Sequence, residues 1–141
     1  MLVRLMYASR ATETVRPETL TAILRKSTQN NPLVGVTGVL CFSGTVFVQV
    51  LEGGRQQVSK LYNRISQDPR HTDVVLLSYE EIDERSFAGW SMGQVNMNRL
   101  NPALLLKYSE AAVLDPYAVS GKVSMALFNE LVATASVMSL P

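Results

Sequence analysis

The chain is poor in the residues that metal sites and nucleophilic catalysis draw on. It has one cysteine, Cys41, so no internal disulfide can form, and a reducing, cytoplasmic setting is expected. It has one histidine, His71, and one histidine with one thiol argue against a metal site. Charged residues make up only 18%, with thirteen basic against twelve acidic. No field of one sign points to nucleic acid or to an anionic membrane. No apolar run is long enough to span a bilayer. The opening MLVRLMYASR lacks the basic stretch and long apolar core of a signal peptide. Glycine is absent before Gly35, so no glycine-rich anion loop can follow the first strand.

What is present is apolar and periodic. Hydrophobic residues make up 47% of 141, enough for one domain with a short C-terminal extension. Low charge with high apolar content predicts more than one covered surface, and so self-association. Residues 2–8, LVRLMYA, alternate as a strand with Val3, Leu5 and Tyr7 on one face. Pro17 opens a helix whose stripe is Leu20, Ile23, Leu24 and Ser27, ending near Asn30 because Asn31 precedes Pro32. A hairpin is predicted over 34–42 and 45–52, broken at Ser43-Gly44. Val58, Leu61, Tyr62 and Ile65 mark a second helix, stopped by Asp68-Pro69. A fourth strand spans 73–82 and a fifth 90–97. The order β-α-β-β-α-β plus one strand is the ferredoxin-like α+β pattern, with two helices on one face of the sheet. Two further helices, PALLLKYSEA and KVSMALFNELVATASVM, are expected to cover the sheet's other face or a partner. The second carries the stripe Leu127, Leu131 and Ala135. Residues 1–98 read as the main domain and 99–141 as the extension.

Several polar side chains sit on apolar faces. In FVQVLEG, Gln49 lies between Phe47 and Leu51 on one face of a strand, where an unbonded amide is costly. Tyr7 ends the Val3–Leu5 face. Ser27 and Asn31 end the stripe of the first helix. In a ferredoxin-like sheet the first and third strands are neighbours, so Tyr7 and Gln49 can pair and bond. Two readings stand: a structural hydrogen-bond network, or a pocket for a flat ligand with C=O and N–H on one edge.

These pieces, LMYASR, STQNNPLVGVTGVL with Gly38, FVQVLEG, RISQDPRH and FAGWSM, in this order and spacing, resemble the BLUF family of FAD-binding blue-light sensors. The resemblance covers residues 1 to about 98. The tail, with LLLKYS, is similar to that of the family's short stand-alone cyanobacterial type. The resemblance implies FAD bound without a covalent bond between the two helices. It implies Tyr7 as electron and proton donor, and Gln49 as the amide that rearranges in light and shifts the spectrum to the red. Asn31 would hold the ring's polar edge, with Asn30 a further contact. Ser27 would lie near Gln49 and Met92, while Trp90 and Met92, on the fifth strand, would relay the change. Family precedent places Arg64 and Asp68 at the entrance, with Arg64 and Arg70 near the ring edge or phosphates; for both arginines a solvated helix end is the alternative. His71 reads as a flavin-edge or a structural residue. Leu24, Phe47 and Ile65 wall the ring or are plain core. Cys41 reads as a small core residue. The resemblance also implies a homo-oligomer, ring-shaped, with a response-regulator-like partner, in light-responsive signalling such as phototaxis.

Two rival functions share the fold. An acylphosphatase-like enzyme needs the anion loop that the chain lacks, and Ser9-Arg10 is its only echo. A non-photoactive ligand-binding or structural dimer module accounts for the low charge, but not for Tyr7, Gln49 and Asn31 together. The fold alone does not choose among them.

Overall fold

The computed structural model describes residues 1–134 and 136–138. Its elements are β1 (Leu2–Ala11), α1 (Pro17–Asn30), β2 (Thr37–Ser43), β3 (Val46–Gly54), α2 (Arg55–Ser66), β4 (His71–Ile82), β5 (Gly93–Asn96), α3 (Pro102–Leu106) and α4 (Gly121–Ala133). The strands form one sheet in the order β4-β1-β3-β2-β5. All neighbours are antiparallel except β2 and β5, which run parallel. This is the expected ferredoxin-like arrangement with a fifth strand added outside β2.

Alternation along the strands sorts the side chains onto two faces, and both are covered. Val3, Leu5 and Tyr7 of β1 join Leu40, Phe47 and Leu51 beneath Leu20, Leu24 and Val58 of α1 and α2. The opposite face carries Met6, Ala8, Val39, Cys41, Val48, Val50 and Val95, and Leu127, Phe128 and Leu131 of α4 pack there. The first eight residues of β3 are all buried, as expected of a central strand packed on both sides. The choice left open by the sequence is therefore settled: α4 lies on its own sheet. Gly121, at its start, comes so close to β4 that a Cβ there would sit 2.1 Å from the Leu77 carbonyl oxygen. Ser120 caps the helix by accepting from the Val123 N–H at 3.1 Å, one of the orphan amides of a first turn. Ala135, the third member of the expected stripe, lies outside the described residues.

Three boundaries differ from expectation. The chain is not yet a strand at Val34, because Asn31–Val34 form a 3-10 turn that ends at Gly35 with φ 68°. That left-handed conformation is one glycine adopts without strain. Helix α3 stops at Leu106 rather than near residue 111. Strand β5 begins at Gly93, so Trp90 and Met92 sit in the loop before it and not on the strand. That loop is held by contacts to β3 and to the 3-10 turn, which replace the ladder.

Candidate functional site

Tyr7 and Gln49 face each other directly in the β1–β3 register. Their side chains point toward the helices, and the Tyr7 hydroxyl donates to Gln49 Oε1. Gln49 Nε2 in turn donates to the Met92 sulfur at 3.2 Å. All three are at least 95% buried, with exposures of 1%, 5% and 3%, so water does not compete for these bonds. Burial pushes the Tyr7 phenol far above its ordinary value, with Tyr62 and Asp68 adding to the effect. Tyr7 is a neutral donor at any physiological pH. The Tyr62 ring stands beside it, centroids 5.5 Å apart.

Above this chain of bonds lies a cavity of about 500 Å³, in the roughly 300–1,000 Å³ range of ligand pockets. Its floor is Tyr7, Leu40, Phe47 and Gln49. One wall is the face of α1 made by Ile23, Lys26, Ser27 and Asn30; the other is Leu61, Arg64, Ile65 and Asp68. Ile23, Lys26, Ser27 and Asn30 have the i, i+3, i+4, i+7 spacing of one helical face, as do Leu61, Arg64 and Ile65, with Asp68 just beyond the end of α2. Asn31 closes one end. Only 4% exposed, it donates from Nδ2 to the Ser91 carbonyl at 2.9 Å. An amide has two donor hydrogens and an acceptor, so a C=O and N–H edge still finds a partner at Asn31.

His71 and the entrance complete the cavity. Ring nitrogen Nδ1 of His71 lies 2.7 Å from Ser9 Oγ, and its ring packs on Phe47 with centroids 5.1 Å apart. Burial lowers its pKa, Asp68 opposes and Arg70 adds to the lowering. Asp68, two residues past α2, holds Arg70 through the backbone N–H at 2.9 Å and the guanidinium at 2.6 Å. That hydrogen bonding brings its carboxyl down to about 2. Arg64 in the last turn of α2, Lys26 on α1 and Arg70 give the mouth three cations.

Ser27, Asn30, Asn31, Gln49, Arg64, Asp68, Arg70, His71, Phe47 and Ile65 thus meet Tyr7 at one cavity. Leu24 belongs to the core behind the wall, and Met92 stands behind Gln49 rather than in the cavity. Trp90 departs from the set: it packs with the core on the far side of the sheet. Two residues apart, Met92 and Trp90 serve opposite faces. Ile23, Lys26, Leu33, Val34, Leu40 and Leu61 line the cavity without having been expected there. The helical spacing 23-26-27-30 and 61-64-65-68 carried a signal for Lys26 and Leu61. Leu33 and Val34 follow the proline turn, where no period exists to read.

Comparison with known proteins agrees with this geometry. Residues 2–93 match the profile of the family described as "Sensors of blue-light using FAD" (BLUF). The photoactivated adenylate cyclase subunit beta of Euglena longa is 41% identical over 92 residues, 64% of this chain and 11% of that protein. The chain thus spans about a tenth of the length of such curated relatives. Among solved structures, the photo-activated state of BlsA is 34% identical, with TM-score 0.84 over 94% of this chain and 95% of that one. The BLUF protein BlrB in its dark state is 32% identical, with TM-score 0.79 over 95% and 96%. With the profile spanning residues 2–93 and the fold shared along nearly its whole length, this chain belongs to the BLUF family, blue-light photoreceptors whose chromophore is FAD.

Proposed function

We propose that Tyr7, Gln49 and Met92 are the light-driven switch of this photoreceptor, and that the cavity between α1 and α2 holds the isoalloxazine ring of FAD. The observation that carries the reading is the buried, unbroken chain of hydrogen bonds from Tyr7 through Gln49 to Met92. The cavity suits a flavin: its floor is apolar and flat around one amide, Asn31 offers donor and acceptor, and Lys26, Arg64 and Arg70 at the mouth suit phosphates. Asn30, Ser27, Asp68, His71, Phe47 and Ile65 frame the ring, and Leu24 backs the wall. Excited by blue light, bound flavin supplies a one-electron oxidant.

Tyr7 is the readily oxidised aromatic side chain among those that line the cavity. Losing an electron would turn its weakly acidic phenol into a strong acid whose hydrogen bond Gln49 Oε1 already accepts, and the electron and proton would return to Tyr7 once the amide has rearranged. Gln49 answers by rotating or by changing tautomer, which exchanges donor and acceptor ends. Met92 makes that exchange consequential. A thioether sulfur accepts but never donates, so an amide oxygen turned toward it finds no bond. Met92 loses its partner, and the loop it belongs to is free to repack. The altered bonds around the chromophore shift its absorption to the red.

The test is direct. Purified full chain loaded with FAD is illuminated with blue light and its absorption followed. A red shift that reverses in the dark is expected, and Gln49→Leu is expected to keep FAD but lose the shift. A wild-type shift in Gln49→Leu would remove the amide from the mechanism.

Residues 1–98 are proposed as the photosensor unit and 99–141 as a helical extension whose α4 packs on the sheet. No catalytic output is assigned to this chain. A homo-oligomer, ring-shaped, with a response-regulator-like partner remains the proposed assembly, in light-responsive signalling such as phototaxis, and in the cytoplasm. The support for self-association is the exposed apolar residues Val75, Leu76 and Tyr79, spread over both faces of edge strand β4, since α4 spends its apolar face on its own sheet. Among the described residues no helix is long and apolar enough to cross a membrane. Light scattering in dark and light measures the assembly; a monomer in both states refutes it.

A further inference from the structure

We propose that Glu52 is a positioning residue that fixes the loop carrying Met92 and so sets the resting state of the switch. Glu52 lies on β3, three residues beyond Gln49, with its side chain on the opposite face and 0% exposed. A buried carboxylate needs a full set of partners, and this one takes them mostly from the loop. Its Oε1 accepts from the Phe87 N–H at 2.6 Å. Its Oε2 accepts from the Ser86 N–H at 3.0 Å and from Arg4 Nε at 2.9 Å. Arg4 also donates to Ser86 Oγ at 2.7 Å. Next to it, Arg85 binds the Gly35 carbonyl at 2.7 Å, Thr37 Oγ1 at 2.9 Å and the Glu52 carbonyl at 3.3 Å.

From this anchor the path to the switch is short. Phe87, held by Glu52, is wholly buried and accepts from the Trp90 N–H at 3.4 Å. The Trp90 carbonyl accepts from Gly38 N–H at 3.1 Å, and the Ser91 carbonyl from Asn31. Met92 follows, with its sulfur on Gln49. The same β3 strand therefore holds both the amide and, through Glu52, the loop that presents the amide's acceptor. Phe87 also meets Phe128 of α4 edge-on, centroids 6.2 Å apart, so the anchor touches the C-terminal helix as well.

The chemistry requires a carboxylate of this length. Both oxygens must accept, because every partner is a donor. Glutamine would keep one acceptor and set an NH₂ against a backbone N–H or against Arg4. Aspartate is one methylene too short to reach the loop amides from the same strand position.

This inference rests on the assignment of Gln49 and Met92 to the switch, and the experiment separates the two. Glu52→Gln, Met92→Leu and the double variant are prepared as FAD-loaded full chains. The rate at which the red-shifted state returns in the dark is measured for each. Glu52→Gln is expected to change that rate roughly two- to thirty-fold, the span that residues coupled to a site impose. In the Met92→Leu background the same substitution is expected to change nothing further, because the contact it positions is already gone. A general loss of stability would lower the melting temperature without this dependence on Met92. An unchanged rate in Glu52→Gln, or an equal fold-change in both backgrounds, overturns the anchor. If Met92→Leu alone leaves the rate unaltered, the switch assignment of Met92 falls and the proposal with it. Should Glu52→Gln fail to hold FAD, Arg85→Ala releases the same loop from its surface side, and the same outcomes apply.

Discussion

At the scale of single residues, the proposed switch is built from groups that are neutral in the folded protein. Tyr7 keeps its proton because burial disfavours the phenolate. Phenylalanine there preserves the packing and removes the hydroxyl that bonds Gln49. Tyr7→Phe is expected to bind FAD as the wild type does and to show no reversible red shift on illumination. His71 is the residue with a pH dependence. Its folded pKa lies below the ordinary value, with burial the leading cause, so the folded state favours the neutral ring. As pH falls the unfolded chain takes up the proton first. The stability due to neutral His71 is present above its unfolded value and is lost as pH drops through the folded one. The melting temperature is expected to fall as pH drops below the ordinary imidazole range, about 6.5, and His71→Gln to flatten that slope. Equal slopes would assign the titration elsewhere; Asp68, held down to about 2, titrates well below this window. Gln49 was legible in the sequence because an amide between Phe47 and Leu51 breaks the alternation. Glu52 was not, because an acid at a strand end reads as solvated, and its partners Ser86 and Phe87 lie 34 and 35 residues away.

At the scale of elements, periodic segments were legible and irregular ones were not. Pro17 and the Asn31-Pro32 pair marked both ends of α1, and alternation placed Tyr7 and Gln49 on the helix-covered face. The loop before β5 has no period. Its course is dictated by distant groups, Glu52, Arg85 and Asn31, and no local pattern encodes them. Gly93 shows how tight the result is. A Cβ there would lie 2.4 Å from Val137 Cγ1 and 3.0 Å from Trp90 Cγ. The next residue, Gln94, exchanges backbone hydrogen bonds with Met138, at 2.8 and 3.0 Å. Gly93→Ala is expected to displace Val137 or Trp90 while FAD stays bound. Trp90 is the only tryptophan, so its emission reports the change, and faster hydrogen exchange at the Gln94 amide reports loss of the pairing. Unaltered emission and exchange would show that the tail repacks without cost.

At the scale of the whole molecule, the sheet has a core on each face, and the two have different duties. The core under α1 and α2 is hollowed for a ligand. The core under α4 is filled and gives the sheet its backing. This second core explains the low charge content that the sequence suggested was a sign of self-association: much of the extra covered surface is internal. Leu131, 0% exposed, lies at its centre. Leu131→Ala is expected to cost about 2–5 kcal/mol, read as a lower denaturant midpoint, with FAD stoichiometry unchanged at low temperature. Loss of FAD in step with stability would mean that the two cores are one unit. The pairing of Tyr7 with Gln49 has a consequence for how such a chain can evolve. Side chains alternate along a strand, so inserting or deleting one residue beside either partner in β1 or β3 turns that partner through the sheet. Tyr7 then faces α4 while Gln49 still faces the cavity, or the reverse. Descendants of this gene are thus free to exchange side chains and to vary loop lengths, while a single-codon gain or loss between these strands' pairing positions parts Tyr7 from Gln49 in one step.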